Sequence, residues 1–266
     1  MMAQFRRFLL AAAVAAIAVL RPQSADSVGL GIDVSPAKLD ISSDAGRSLT
    51  LPITVHNSAP DSAHIQATMV DFGVGPDGSY QYQKVGARPY SLMRFASINP
   101  REFDLPAGTS QQVVFTILMP EGEHYSGEYA GIVFFQTRPS RRPGQSVAFS
   151  ARVASKIYET IPGTSVLSGV ITKMSSLAAS GGRAYRVIFH NSGNTHVYLR
   201  GSITVQKNGQ PIDQVAMENN MLVERGGDRT IQVNGKALPP GQYQAVAQID
   251  YGGKTDTGGV IDFTVR

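Results

Sequence analysis

Three short runs in this chain invite a chemical reading. Gly73-Val74-Gly75-Pro76-Asp77-Gly78 matches the G-x-G-x-x-G pattern of phosphate-cradling loops. Such a loop needs a helix N-terminus behind it. Here Pro76 and a turn are followed by Tyr80-Gln81-Tyr82, which reads as a strand. Asp71-Phe72-Gly73 imitates a kinase tripeptide, but no lysine strand or catalytic loop accompanies it. The five histidines, His56, His64, His124, His190 and His196, lack metal-ligand spacing, and there is no cysteine. No G-x-S-x-G elbow and no Asp-rich calcium loop occur. The chain therefore reads as a non-enzyme, with no catalytic residue, metal or cofactor. Arg138-Pro139-Ser140-Arg141-Arg142-Pro143-Gly144 is the densest basic stretch. It reads as a solvated hairpin tip, with a patch for an acidic partner as the sharper alternative.

Residues 1–27 carry a different signal. Arg6 and Arg7 precede an unbroken apolar run from Phe8 to Leu20, and small polar residues follow. Basic, then apolar, then small is the order of a secretory signal peptide. Thirteen apolar residues fall short of the roughly 20 that a spanning helix needs. No later segment reaches membrane length, so the mature form is expected to hold no integral membrane segment. Cleavage is expected near Ser27 and places the protein in the periplasm or at the cell surface. It also removes three arginines and one aspartate, so that 24 basic against 20 acidic side chains become 21 against 19. The residual charge gives no reason to expect a nucleic-acid partner.

From Val28 onward the dominant period is two, the mark of strands. Ser48–Val55 and Gln111–Leu118 alternate, and Tyr129–Phe135 is nearly continuous in apolar residues, as in a strand covered on both faces. Pro76-Asp77-Gly78 and Asn208-Gly209 read as hairpin turns. The chain also repeats weakly. Val55-His56-Asn57-Ser58 returns as Phe189-His190-Asn191-Ser192, and Gly127-Glu128-Tyr129 as Gly241-Gln242-Tyr243. Tyr129 and Tyr243, each just after a Gly turn, are candidates for the tyrosine corner of sandwich folds. The fold class is all-β: two tandem immunoglobulin-like β-sandwich domains after a signal peptide. Residues 28–163 form the first and 164–266 the second, divided at Ile161-Pro162-Gly163-Thr164.

One series of short motifs runs in order through the first half: Asp77-Gly78-Ser79-Tyr80, Ile98–Gly108, Gln111-Gln112-Val113, Gly127-Glu128-Tyr129 and Phe134-Phe135. Over about Val28 to Pro162 it resembles the N-terminal domain of PapD-like periplasmic pilus-assembly chaperones. It is also similar to the first domain of WxL-interacting envelope proteins. The first resemblance implies a protein client, a pilin-like or other secreted subunit, completed by a strand lent from Gln145–Thr160. Backbone bonds would supply affinity and alternate side chains specificity. Val147, Phe149, Ala151 and Val153 would pair with the client. Lys38 and Lys156 would hold the subunit's terminal carboxylate. The spacing of Lys156 from Pro162 is one residue off the family pattern, and a one-residue shift turns a strand side chain to the opposite face. The alternative is a structural or adhesive envelope protein whose sandwiches bind an envelope component.

Overall fold

The computed structural model describes residues 31–122, 124–140 and 146–266. The expected signal segment, its cleavage site, and Arg141 and Arg142 lie outside the described residues. The first half builds strands β1 Ile32–Ser35, β2 Lys38–Ser42, β3 Ser48–Asn57, β4 Ala63–Val74, β5 Tyr80–Gln83, β6 Ala96–Asn99, β7 Glu102–Leu105, β8 Ser110–Leu118, β9 Glu128–Thr137 and β10 Arg152–Thr160. The second half builds β11 Gly169–Ala179, β12 Gly182–Asn191, β13 Val197–Lys207, β14 Gln210–Ala216, β15 Met221–Val223, β16 Asp228–Lys236, β17 Gly241–Asp250 and β18 Thr257–Val265. The single helical element among the described residues is a 3-10 turn, Leu92–Phe95. No described helix is long and apolar enough to cross a membrane.

These strands form two sandwiches. In the first, a sheet ordered β1-β3-β8-β6 packs on a sheet ordered β2-β10-β9-β4-β5, with β7 beside β4. In the second, β11-β12-β16 packs on β14-β13-β17-β18, with β15 beside β13. Two separate apolar cores result. The first gathers Ile53, Val113, Phe115, Val133, Phe135 and Ile157, and the second gathers Tyr185, Phe189, Leu199, Val205 and Ile249. The chain is thus a two-domain, all-β sandwich protein.

The weak repeat has a physical cause. Asn57 and Asn191 are both fully buried at the end of a strand. The Asn57 amide donates to the carbonyls of Asp61 and Leu105, and its oxygen accepts from the Ala59 N–H. The Asn191 amide donates to the carbonyls of Thr195, Val223 and Glu224, and its oxygen accepts from the Gly193 N–H. One asparagine therefore ties a loop to a neighbouring strand end in each sandwich, satisfying carbonyls that burial would otherwise orphan. The histidine before each lies across from a polar partner on the next strand: His56 meets Ser110 at 3.0 Å and His190 meets Asp228 at 2.9 Å. Tyr243 donates back to the Pro239 carbonyl at 2.7 Å, as a tyrosine corner does.

The turns follow their residues. Asn208 and Gly209 both take positive φ, 52° and 77°, and join β13 to β14 directly. Asp77 accepts from the Ser79 N–H and hydroxyl, closing the β4–β5 hairpin. β9 is buried at every residue from Glu128 to Phe135, so both faces of this central strand are covered.

Candidate functional site

Alternation in the β2-β10-β9-β4-β5 sheet sorts its residues into two faces. Ile157, Val133 and Ile65 point into the first core. Tyr158, Ala130, Ile132, Phe134 and Phe72 form a second apolar cluster on the opposite, outer face. Tyr80 and Tyr82 of β5 extend that cluster. Tyr80 stacks on Phe72 at 5.8 Å, and Tyr82 meets Phe134 edge-on at 4.9 Å. Cationic side chains lie over these rings, with the Arg152 guanidinium 4.5 Å from the Phe134 centroid. The outer face is therefore aromatic, cationic and partly exposed.

The two candidate lysines meet on this face. β2 runs parallel to β10 with Lys38 directly beside Lys156. Neighbouring strands lie about 4.8 Å apart, and register partners in a parallel pair share a face. The offset of Lys156 from the family spacing therefore does not turn it away from Lys38. Both ammonium groups flank the ring of Tyr158, at 5.1 and 5.2 Å from its centroid. Lys38 pairs with Asp40 at 2.9 Å and also lies 5.1 Å from the Tyr198 ring of the second sandwich. Burial works against its charge, but hydrogen bonds to Asp40 and Tyr198 outweigh that and raise its pKa. Lys156 donates to the Tyr80 hydroxyl at 3.0 Å.

The four residues of the proposed pairing row divide between two environments. Val147 and Phe149 are 59% and 60% exposed, whereas Ala151 and Val153 pack against the first core. The strand itself begins at Arg152, later than the expected start at Gln145. Side chains interrupt the ladder there: Ser150 Oγ donates to the Thr137 carbonyl, and the Ala151 N–H donates to Thr137 Oγ1. Phe149 still makes an isolated bridge to Ser140, with both backbone bonds at 2.9 Å. On its other side β10 pairs with β2 only from Lys156 to Thr160. Among the described residues, Arg152–Ala154 therefore have a sheet partner on one side alone, β9.

Beyond the lysines, the outer face runs into the second sandwich through a polar network that the sequence reading passed over. Tyr158 donates to Glu224 Oε1 at 2.7 Å and stacks on His196 at 4.1 Å. His196 presents its N–H and its Nδ1 to the Glu128 carboxylate, at 3.1 and 2.6 Å. Glu128 and Glu224 are both buried. Burial pushes the Glu224 carboxyl up, and burial together with the Glu224 charge pushes the Tyr158 hydroxyl up. Arg225 donates to the carbonyls of Ser126 and Glu128, and Tyr90 donates to the Arg225 carbonyl. Gly127 takes φ +71°, and a Cβ there would meet the Asn194 carbonyl oxygen at 2.4 Å, so glycine admits this close approach. The sequence signal for the network was a lone Glu128 opening an otherwise apolar buried strand.

Among the described residues no group of three His, Asp or Glu is placed to hold a metal ion. His64 of β4 lies between Glu102 and Asp104 of β7, at 2.8 and 2.7 Å.

No model of a known protein family matches this chain, and no curated protein matches it in sequence. Solved structures do match it in shape. The chain is similar to the class 5 fimbriae chaperone CfaA, at 12% identity over 86% of this chain and 98% of that one, with a TM-score of 0.51. It is similar to a chaperone–tip adhesin complex of CFA/I fimbriae biogenesis, at 12% identity over 87% and 97%, with a TM-score of 0.50. The Salmonella enterica SafB chaperone, solved with the SafA pilin, matches at 13% identity over 88% and 96%, with a TM-score of 0.44. At these identities the first two likenesses show the fold alone: two tandem β-sandwiches arranged as in that fimbriae chaperone.

Proposed function

We propose that this chain is an exported, chaperone-like protein that binds secreted or pilus-type β-sandwich subunits by strand addition and catalyses no reaction. The observation that carries the reading is the edge of β10. It is open on one side at Arg152–Ala154, continues upstream into the exposed Val147 and Phe149, and ends beside the register pair Lys38 and Lys156. An open edge is a template for another chain's backbone, and natural sheets usually cover or charge such edges. Of the row Val147, Phe149, Ala151 and Val153, the exposed Val147 and Phe149 offer side chains to the client, and Ala151 and Val153, held against the first core, extend the pairing through their backbone. Lys38 and Lys156, converging on one ring, form the anchor for a terminal carboxylate, which two ammonium groups hold better than either alone. The shared fold with a fimbrial chaperone supports this reading. Residues 1–27 serve as the export signal, 28–163 carry the client strand, and 164–266 close the cleft.

The experiment is capture of a fimbrial subunit that lacks its own final strand, prepared with a free C-terminus and with an amidated one. The free form binds, the amidated form binds at least tenfold more weakly, and Lys38→Ala and Lys156→Ala erase the difference. Equal binding of both forms overturns the anchor. Binding to purified cell wall, with no capture of the subunit, moves the assignment to the structural or adhesive reading.

A further inference from the structure

The β4–β5 hairpin reaches beyond its own sheet. Its tip, Pro76–Gly78, touches the second sandwich. The Thr230 N–H, on the outer edge of β16, donates to the Pro76 carbonyl at 2.8 Å. The Arg229 guanidinium lies against Gly78, where a Cβ would meet Arg229 Nη1 at 2.0 Å. Gly78 also holds φ +87°, so glycine serves both the turn and the close approach. Arg229 Nε is buried with no hydrogen-bond partner among the described residues. Two residues beyond Gly78, the same hairpin presents Tyr80. Its ring is stacked between Phe72 and Tyr82, and its hydroxyl accepts from Lys156.

One hairpin thus contacts the second sandwich with its tip and Lys156 with its arm. We propose that it is a strut that ties the relative orientation of the two sandwiches to the placement of Lys156, with Tyr80 as the positioning residue for carboxylate capture. The proposal rests on the reading of Lys38 and Lys156 as an anchor. The physical reason is entropy. Lysine carries its charge on a flexible four-carbon stem, and immobilising one such side chain on binding costs about twofold to tenfold in affinity. Tyr80, held by stacking, keeps Lys156 in place before the anion arrives. Orientation matters because Lys38 faces Tyr198 of the second sandwich, so the anion site is complete only when the two sandwiches keep their present relation.

Acetate is the probe, added to the full chain while the side-chain NMR signals of Lys38 and Lys156 are followed. In the wild type both lysines shift together and saturate. Tyr80→Phe keeps the stacked ring and loses the bond, so acetate affinity falls twofold to tenfold while the melting temperature holds. Gly78→Val expels Arg229, lowers the affinity as much, and broadens the distance distribution between spin labels at Gln112→Cys and Glu218→Cys, a clean pair in a chain without cysteine. Gly209→Ala, at positive φ with open space around it, changes neither readout. Arg229→Ala replaces Gly78→Val if the latter does not fold. If Lys38→Ala and Lys156→Ala leave acetate binding unchanged, the anchor reading fails and the proposal falls with it. If those two abolish binding but Tyr80→Phe and Gly78→Val bind acetate as the wild type does, the strut is refuted and the anchor stands.

Discussion

Phe149→Asp separates a client-facing residue from a core residue by numbers that the structure sets. Phe149 is 60% exposed and belongs to neither core. Of the roughly 200 Å² an aromatic side chain can bury, about 120 Å² remains for a partner. At about 25 cal/mol per Å² that area is worth about 3 kcal/mol, or about 100-fold in affinity. The isolated chain has much less to lose. The backbone bridge to Ser140 involves no side chain, and the new carboxylate faces water, so the stability cost stays below about 1 kcal/mol. That corresponds to a fall of a few degrees, about 2–6 °C, in melting temperature. Val153→Asp is the contrast. It sets a charge against the first core, and an unpaired charge in that position costs about 3 kcal/mol or more. Circular dichroism melts of both variants, with calorimetric titration of a strand-deficient fimbrial subunit, read both effects. Phe149→Asp melts near the wild type and binds about 100-fold more weakly; Val153→Asp melts far lower. A collapse of the fold in Phe149→Asp, or wild-type capture by it, refutes the assignment of this residue to the client.

Three further outcomes are expected. Burial raises the Glu224 carboxyl, so the folded state keeps that proton longer than the unfolded one. The resulting stability is complete below the unfolded value of about 4.3 and is lost as pH rises through the folded one. Glu224→Gln keeps an acceptor for Tyr158 and removes this loss, so urea melts show its advantage over the wild type growing from acid to neutral pH; a constant gap contradicts the buried carboxylate. Hydrogen bonds to Glu102 first, then Asp104, raise the His64 imidazole, and its contribution is present below the ordinary histidine value of about 6.5 and is lost as pH rises through the folded value. Glu102→Gln lowers the NMR titration midpoint of His64, and an unmoved midpoint refutes the pairing. Gly127→Ala combines positive φ with the clash at the Asn194 carbonyl and costs about 2–3 kcal/mol, whereas Gly209→Ala costs about 1 kcal/mol because only the backbone objects. Denaturant melts giving equal costs would show that the Gly127–Asn194 contact yields freely.

How much of this was legible in the sequence depends on the range of the interaction that fixes each feature. Turns and strand faces are local. Asn208-Gly209 demands positive φ from two residues, and alternation assigns Tyr158 and Lys156 to one face without knowledge of the rest of the fold. The Asn57 and Asn191 knots were visible as a repeated tetrapeptide because each binds a carbonyl four residues on, although their second partners are 48 and 32 residues away or more. Alternation carries β10 upstream of Arg152, whereas Ser150 and Thr137 pair side chain to backbone across the hairpin there. Composition alone does not distinguish that from an ordinary ladder. The meeting of Lys38 with Lys156 was beyond reach as geometry, since a parallel register between residues 118 positions apart is set by how both sheets close. The junction network was hidden for the same reason. Glu128 and Glu224 look like surface carboxylates until His196 and Tyr158, 68 and 66 positions away from their partners, are folded against them. Two carboxylates buried between sandwiches are costly, and they sit where the two halves must hold a fixed relation for the lysine pair, Tyr198 and Tyr80 to converge. The features least visible in the sequence are therefore those that the proposed function most depends on, because a cleft between two sandwiches exists only once both have folded and docked.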